Sequence, residues 1–450
     1  MSRYRVGGFP RAAVWRGVAG LFVSVTLDAV AANDPRAITT ETPPWLDTQP
    51  GPHFWPRVRT WQGIPSLERA PNGRLWATWY AGLVGEGKGM NYQLLVSSAD
   101  DGHTWSKPVA VYDPSRQLLG GDTSDGHVWL DPQGKLWWFV QRVMAVPGAK
   151  PMRPRTTWGF YTEEPGVANP TWKGPVFVGF GNSLNKATVL ADGTWLQMMD
   201  GAAPASTPKP VPPGKVANLF QFLGYDRGFA PFGLAAIKDT PFTEHMIVER
   251  KDRSLWMLAR TKYGLAQATS TDGGRTWSEA PEPFTRSFNI NTRFHLRKLI
   301  SGNLLLVVND HPRGRANLTA MLSEDDGRTW PHKLVLDERE SVSYPDGTQA
   351  PDGAIYLTYD RGRYLFDMQE ILMAKFTEAD VKAGKIVSTP SRLKQIINKL
   401  KDEGGGVRYS GETQDVLKAF EAFKAGGTPP AAVKLEPGEL AEQPQFRKTP

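Results

Sequence analysis

The chain has 450 residues, no cysteine and a formal charge of +7, with 40% hydrophobic and 11% aromatic residues. A chain of this length can build its own core without disulfides, and its positive charge is not gathered into Lys/Arg runs, which argues against a nucleic-acid footprint. No apolar run reaches the ~18 residues of a membrane-spanning helix, and there is no His-x-x-x-His or cysteine pair for a metal, so the sequence calls for no cofactor.

The first segment, MSRYRVGGFPRAAVWRGVAGLFVSVTLDAVAAND, carries Arg3, Arg5, Arg11 and Arg16 ahead of an apolar stretch from Gly17 to Leu27. Small residues close it at Ala29, Ala31 and Ala32. A basic start, a short apolar centre and an Ala-x-Ala ending predict a secretory signal peptide over 1–32, and hence a secreted or periplasmic protein. Four arginines and Asp28 leave with that segment, so the mature chain carries +4. Residues 33–57 read as a lead-in.

From 58 to 376 one unit recurs. APNGRLWATWY (70–80), DPQGKLWWFVQ (131–141), LADGTWLQMMD (190–200), ERKDRSLWMLAR (249–260), LISGNLLLVVN (299–309) and APDGAIYLTYD (350–360) each pair a turn with an apolar strand. Their turn residues are Gly73, Gly134, Gly193, Arg253, Gly302 and Gly353, at intervals of 61, 59, 60, 49 and 51. Such units, rich in Trp and Tyr, predict an all-β fold: a six-bladed β-propeller whose sheets bury their faces only by stacking round a ring.

Three further copies punctuate it: SADDGHTW (98–105), STDGGRTW (270–277) and SEDDGRTW (323–330). Each fits Ser-x-Asp-x-Gly-x-Thr-Trp, a tight turn with an aromatic plug, expected between the outer strands of a blade. These boxes read as structural staples. After 376, RLKQIINKLKDEGGG and TQDVLKAFEAFKAGG space apolar residues as helices do. They predict a short helical appendage over 377–425, followed by a polar, Pro-rich tail over 426–450 that predicts disorder.

The repeat also serves as a ruler. Nine residues before the turns stand Ile64, Asp125, Leu184, Glu244, Arg293 and Tyr344; seven after stand Tyr80, Gln141, Asp200, Arg260, Asn309 and Asp360. Inner strands start, and second strands end, at one rim of a propeller's channel, so both sets converge there and mark a candidate site. Tyr344 needs a carboxylate to take its proton before it can attack, and Glu244 falls on the same ring. Arg260 and Arg315 are candidate clamps for an anionic sugar. Arg293, His127, His245 and His311 crowd the same blades as candidate substrate-binding residues.

These stretches together resemble the sialidase (neuraminidase) superfamily, whose Asp-boxes match the three copies above. TEHMIVERKDRSLWMLAR looks like the segment with the tyrosine-assisting glutamate and an arginine, at Glu244 and Arg260. RANLTAMLSEDDGRTW looks like the segment of a further arginine, at Arg315, and SVSYPDGTQAPDG like the nucleophile segment, at Tyr344. The resemblance implies a retaining exo-glycosidase with a tyrosine nucleophile, an exception to the two-carboxylate rule.

Two positions depart from it. GIPSLERAPNG places Gly63 where the first arginine is expected, and YAGLVGEGKGMNYQ lacks an aspartate, leaving Asp125 or Glu86 as the acid. The extra Arg and His residues also suit a uronate, and a Tyr/His pair could eliminate rather than hydrolyse. The expected partner is therefore an acidic glycan, acted on by a glycosidase; a polysaccharide lyase or a non-catalytic glycan-binding propeller are the alternatives. A monomer is expected.

Overall fold

The computed structural model describes residues 42–400 and the strands at 407–409 and 432–434. The exceptions within 42–400 are 52–53, 55–58, 60, 83–84, 88–90, 118–120, 144–154, 202–215, 239, 241–243, 285–291, 313 and 364–368. The signal segment expected at 1–32 lies outside them, as does the second expected helix.

Six antiparallel four-stranded sheets follow one another, each with its strands in chain order or the exact reverse as written from one edge. Blade 1 is β1 (Trp61–Arg69), β2 (Leu75–Gly82), β3 (Tyr92–Ser98) and β4 (Ala110–Tyr112). Blade 2 is β5 (His127–Leu130), β6 (Leu136–Val143), β7 (Arg155–Thr162) and β8 (Lys173–Phe180). Blade 3 is β9 (Thr188–Val189), β10 (Trp195–Gly201), β11 (Val216–Gly224) and β12 (Gly228–Ala236). Blade 4 is β13 (His245–Glu249), β14 (Leu255–Arg260), β15 (Leu265–Ser270) and β16 (Ser278–Glu279). Blade 5 is β17 (His295–Lys298), β18 (Leu304–Asn309), β19 (Leu318–Ser323) and β20 (His332–Asp337). Blade 6 is β21 (Val342–Gln349), β22 (Ile355–Arg361), β23 (Glu370–Phe376) and β24 (Arg392–Lys399).

The core lies between blades. One apolar cluster joins Trp76, Tyr112 and Trp138 of blades 1 and 2; another joins Leu75 and Trp79 of blade 1 to Tyr356 and Met373 of blade 6. Second strands such as LWATWYAG are buried at every position, because a neighbouring blade covers each face. The ring closes between blades 6 and 1 by side-chain bonds. Gln62 N donates to Gln369 Oε1 at 2.8 Å, Ile64 N to Asp360 Oδ2 at 2.9 Å, and Ser66 Oγ to Asp346 Oδ2 at 2.6 Å.

The three boxes share one set of bonds. In the first, Gly102 N donates to Ser98 Oγ at 2.9 Å, and Thr104 N and Oγ1 donate to Asp100 at 2.9 and 2.6 Å. The indole of Trp105 donates to Gly102 O at 3.2 Å. All three boxes sit between third and fourth strands, as expected, and each leans on the preceding blade. A Cβ at Gly327 (φ +85°) would stand 2.8 Å from Trp256 of blade 4, and one at Gly102 2.4 Å from Met373 of blade 6. The box tryptophans are half-buried at this seam, so they seal blade to blade rather than plug one blade's interior.

Five hairpin turns place glycine at φ between +80° and +96°, whereas blade 4 puts Arg253 there at φ +70°. A left-handed backbone at a non-glycine costs about 1–2 kcal/mol. The exposed ion pair of Arg253 with Glu249, 3.0 Å, offsets little of that. Arg253→Gly is expected to raise stability by about 0.5–1 kcal/mol, read as a higher urea midpoint; an unchanged or lower midpoint would contradict the strain.

The C-terminal end differs from the sequence expectation. The propeller does not end at 376: β24 (392–399), taken from its spacing as helical, is the fourth strand of blade 6. One short helix, α1 (Glu378–Ala383), precedes it and is closed by a capping box between Thr377 and Asp380. Part of the tail expected to be disordered, β26 (Ala432–Lys434), pairs antiparallel with β25 (Val407–Tyr409). Among the described residues no helix is long and apolar enough to cross a membrane.

Candidate active site

Inner strands β1 and β21 start in the same unusual way. Ile64 (φ +57°) and Tyr344 (φ +56°) both adopt left-handed backbone. Both precede a proline, and both lie within a register shift, between Gly63 and Ser66 and between Ser343 and Asp346. Such backbone costs about 1–3 kcal/mol at a bulky residue, and a bulge re-aims the side chain it carries. Here Ile64 and Tyr344 join Trp61, Tyr80 and Leu184 in one buried apolar cluster at the channel rim.

Tyr344 reaches Glu244 from that cluster. Its hydroxyl donates to Glu244 Oε1 at 2.9 Å, and Arg260 Nη1 donates to both Glu244 oxygens at 2.8 and 2.7 Å and to the Tyr344 oxygen at 3.5 Å. The three side chains come from blades 6, 4 and 4. All are nearly enclosed, at 6%, 4% and 5% exposure. Burial and the adjacent Glu244 carboxylate push the Tyr344 phenol well above its usual range, against the pull of Arg363, Arg315 and Arg260. The resting residue is thus a neutral phenol whose proton already points at a base.

Guanidinium groups surround the tyrosine ring. Arg363 lies 4.3 Å from its centroid, Arg315 5.3 Å and Arg293 5.9 Å. Arg315 is half-buried and donates to Ser343 Oγ at 3.3 Å. Arg363, which the repeat ruler did not reach, lies between Asp360 (3.4 Å) and Glu86 (3.5 Å).

Asp125 lies near enough to Tyr80, Glu86 and Glu244 to interact with each electrostatically. Asn182 Nδ2 donates to its Oδ2 at 2.9 Å. Burial, then the Glu86 charge, raises its pKa to about 6, with a smaller push from Glu244. Both sequence candidates for the acid therefore share one region, and the Asp125 carboxyl is shifted toward its neutral form.

The other expected members take different places. Arg293 is 1% exposed and spends its donors below the site, on Pro345 O and Asn185 Oδ1, both at 2.9 Å. His127 is wholly buried and stacked on Phe139 at 4.6 Å, and burial lowers its pKa to about 3. It is a neutral core imidazole that opens β5, two residues beyond Asp125 and deeper in the blade. His245 is buried at the start of β13, where its carbonyl accepts from Asn185 at 2.7 Å. His311 sits half-buried in the connection after β18.

The ring of six polar residues after the turns is also mostly structural. Gln141 donates to Ser183 O, Asp200 accepts from Asn182 N, Asn309 donates to Val342 O and Asp360 accepts from Ile64 N. They tie down the starts of inner strands. Of the six, Tyr80 belongs to the tyrosine cluster and Arg260 donates to the Tyr344 oxygen.

At the far end of the inner strands lies a separate cavity of about 290 Å³, bordered by Trp129, Lys186, Glu249, Lys298 and His295. It contains none of Tyr344, Glu244 and Arg260. Among the described residues no group of His, Asp or Glu side chains converges to hold a metal.

A family model described as a BNR repeat-like domain matches residues 236–357, which hold two of the three boxes. No curated protein matches the chain in sequence, but solved structures match its fold. The Hadza microbial sialidase Hz136 superposes with a TM-score of 0.57 at 19% identity, over 71% of this chain and just under two thirds, 66%, of its own. The NanB sialidase from Streptococcus pneumoniae, in complex with 2-[(3-chlorobenzyl)ammonio]ethanesulfonate, gives 0.54 at 13% identity, over 78% of this chain and 73% of its own. The intramolecular trans-sialidase from Ruminococcus gnavus, in complex with oseltamivir carboxylate, gives 0.53 at 15% identity, over 76% and 98%. At such identities the likeness is one of fold: this chain is a six-bladed propeller with a BNR repeat-like region at 236–357, similar in fold to those sialidases.

Proposed function

We propose that the protein is an exported, sialidase-like exo-glycosidase that removes a terminal acidic sugar, sialic acid or a related sugar acid, from a glycan. The observation that carries this reading is the 2.9 Å bond from the Tyr344 hydroxyl to Glu244, aligned by Arg260. A buried phenol is a poor nucleophile unless its proton leaves as the bond forms, and Glu244 is where that proton goes.

The reaction runs in two displacements. Tyr344 Oη attacks the anomeric carbon as Glu244 takes its proton; the glycosidic bond breaks, and Asp125 protonates the departing oxygen. Water then attacks the tyrosyl-linked carbon, giving a proton to the Asp125 carboxylate, and Glu244 returns its proton to the tyrosine oxygen. Two inversions leave the configuration retained. Arg260 and Arg315 supply the positive field that an anionic sugar needs, and the Trp61–Tyr80 pair, with ring centroids 4.6 Å apart, offers an apolar wall for the sugar face.

An acid with a pKa of about 6 works only while protonated. Turnover is therefore expected to fall as pH rises through about 6, and Asp125→Asn should remove that limb together with most of the rate. A leaving group that is already acidic, such as a nitrophenol, should need the acid less and be spared. An alkaline limb that survives unchanged in Asp125→Asn would assign the acid elsewhere, with Glu86 next.

The function itself is tested by incubating the mature chain with a panel of sialylated and uronate-bearing oligosaccharides and weighing the products. Hydrolysis adds one water across the products and frees a single terminal acidic sugar. An unsaturated uronate would indicate a lyase, and intact glycans throughout would indicate a binding propeller.

A further inference from the structure

The sequence leaves Gly63 where a first arginine is expected, and the structure shows what fills the space. A Cβ built on Gly63 would stand 2.3 Å from Arg363 Cδ, 2.8 Å from its Cγ and 3.1 Å from Asp360 Oδ2. Gly63 is not among the residues with left-handed backbone, so its conformation does not demand glycine. What demands glycine is the aliphatic stem of Arg363, which crosses from blade 6 at the ring closure and lies where a blade-1 side chain would begin.

Arg363 is also fixed in that place. It is 2% exposed, and Asp360, 3.4 Å from its Nη1, is itself anchored by Ile64 N at 2.9 Å and Ser343 Oγ at 2.6 Å. Of the three guanidinium groups around the Tyr344 ring it lies closest. A carboxylate already stands against it, with Glu86 Oε2 3.5 Å from Nε. We propose that Arg363 is the third arginine of the anion-binding cluster, taking over from blade 6 the space and the carboxylate-recognising role of a side chain at position 63.

This assignment rests on the glycosidase reading and narrows its substrate to a sugar bearing a free carboxylate. Three guanidinium groups from three blades, Arg260, Arg315 and Arg363, then meet one anion. An ester or amide of the same sugar offers them no charge and forfeits the charge-assisted bonds that a carboxylate makes.

The test compares binding of N-acetylneuraminic acid and its methyl ester, by calorimetry on the full chain. Wild type is expected to prefer the acid, and Arg363→Ala to lose about 100-fold in affinity for the acid with little change for the ester. Gly63→Ala should cause the same selective loss by displacing the Arg363 stem. Gly63→Arg in the Arg363→Ala background should recover most of the preference, which a merely structural role would not allow. Acid preference intact in Arg363→Ala overturns the assignment alone, as does equal loss of both ligands without rescue. A wild type that takes up neither acid nor ester overturns the glycosidase reading, and this assignment with it.

Discussion

Tyr344→Phe is expected to leave the fold intact and to reduce turnover by at least ~1,000-fold. The substitution removes one oxygen from a ring that remains packed against Trp61, Ile64, Tyr80 and Leu184. The phenol bond to Glu244 is lost, but Arg260 still satisfies both carboxylate oxygens at 2.8 and 2.7 Å, so no buried charge is stranded. Thermal unfolding should stay within a few degrees of wild type, and sugar-acid binding should persist. Glu244→Gln is expected to lose turnover to a similar degree, because the proton then has no acceptor. Combining the two should add little, since members of one catalytic unit are not additive. A Tyr344→Phe protein that turns over normally would remove the tyrosine from both hydrolysis and elimination.

The largest effect on stability is expected one layer below. Asp346, two residues along β21 from Tyr344, is 1% exposed and lies 3.5 Å from Lys186 and 3.6 Å from Arg293. It also accepts from Ser66 Oγ at 2.6 Å and Leu67 N at 3.2 Å, joining blades 6 and 1. Asp346→Asn removes the buried countercharge of Arg293 and one of the two beside Lys186, which keeps Glu68 at 2.9 Å, and such breaks cost about 3–5 kcal/mol. Burial alone would raise the Asp346 pKa, but Lys186, Arg293 and His295 outweigh it and hold the carboxyl at about 2, below its usual 3.8. Its folded pKa being depressed, the stabilisation is full above pH 3.8 and fades as pH falls toward 2. Wild type should therefore lose stability across that window, and Asp346→Asn should be weaker at neutral pH but flatter within it. Equal denaturant midpoints at pH 7 would show that this network does not hold the closure.

How much of this could be read from the sequence depends on where the information lies along the chain. The blades were legible because each carries its own turn and its own apolar strand, and the boxes because a local bond set needs local residues. Glu244, Arg260 and Tyr344 were legible for the same reason: the repeat fixes their height on the channel. The strand at 392–399 was not. Its pairing with β23 is interrupted by register shifts at Ile371/Leu372 and Met373/Lys375, and Lys394 sits at φ +56°. Those breaks disturb the two-residue alternation and leave Leu393, Ile396, Ile397 and Leu400 at helical spacing.

The histidines misled for a different reason. His127 and His295 open β5 and β17, two residues beyond Asp125 and Arg293, so the members of each pair lie at different levels. Polarity after the turns marked hydrogen bonds to strand starts as much as a site. Arg363 had no linear signal at all, because its link to Gly63 exists only across the ring closure.

The most direct measurement is to stop the reaction in acid during turnover of a sugar-acid glycoside with a good leaving group, then digest the protein and map the modified peptide. The account predicts one added sugar on the phenolic oxygen of Tyr344, absent from Tyr344→Phe. Sugar attached to Asp125 or Glu86, or a product formed with inverted configuration and no adduct, would contradict a tyrosine nucleophile.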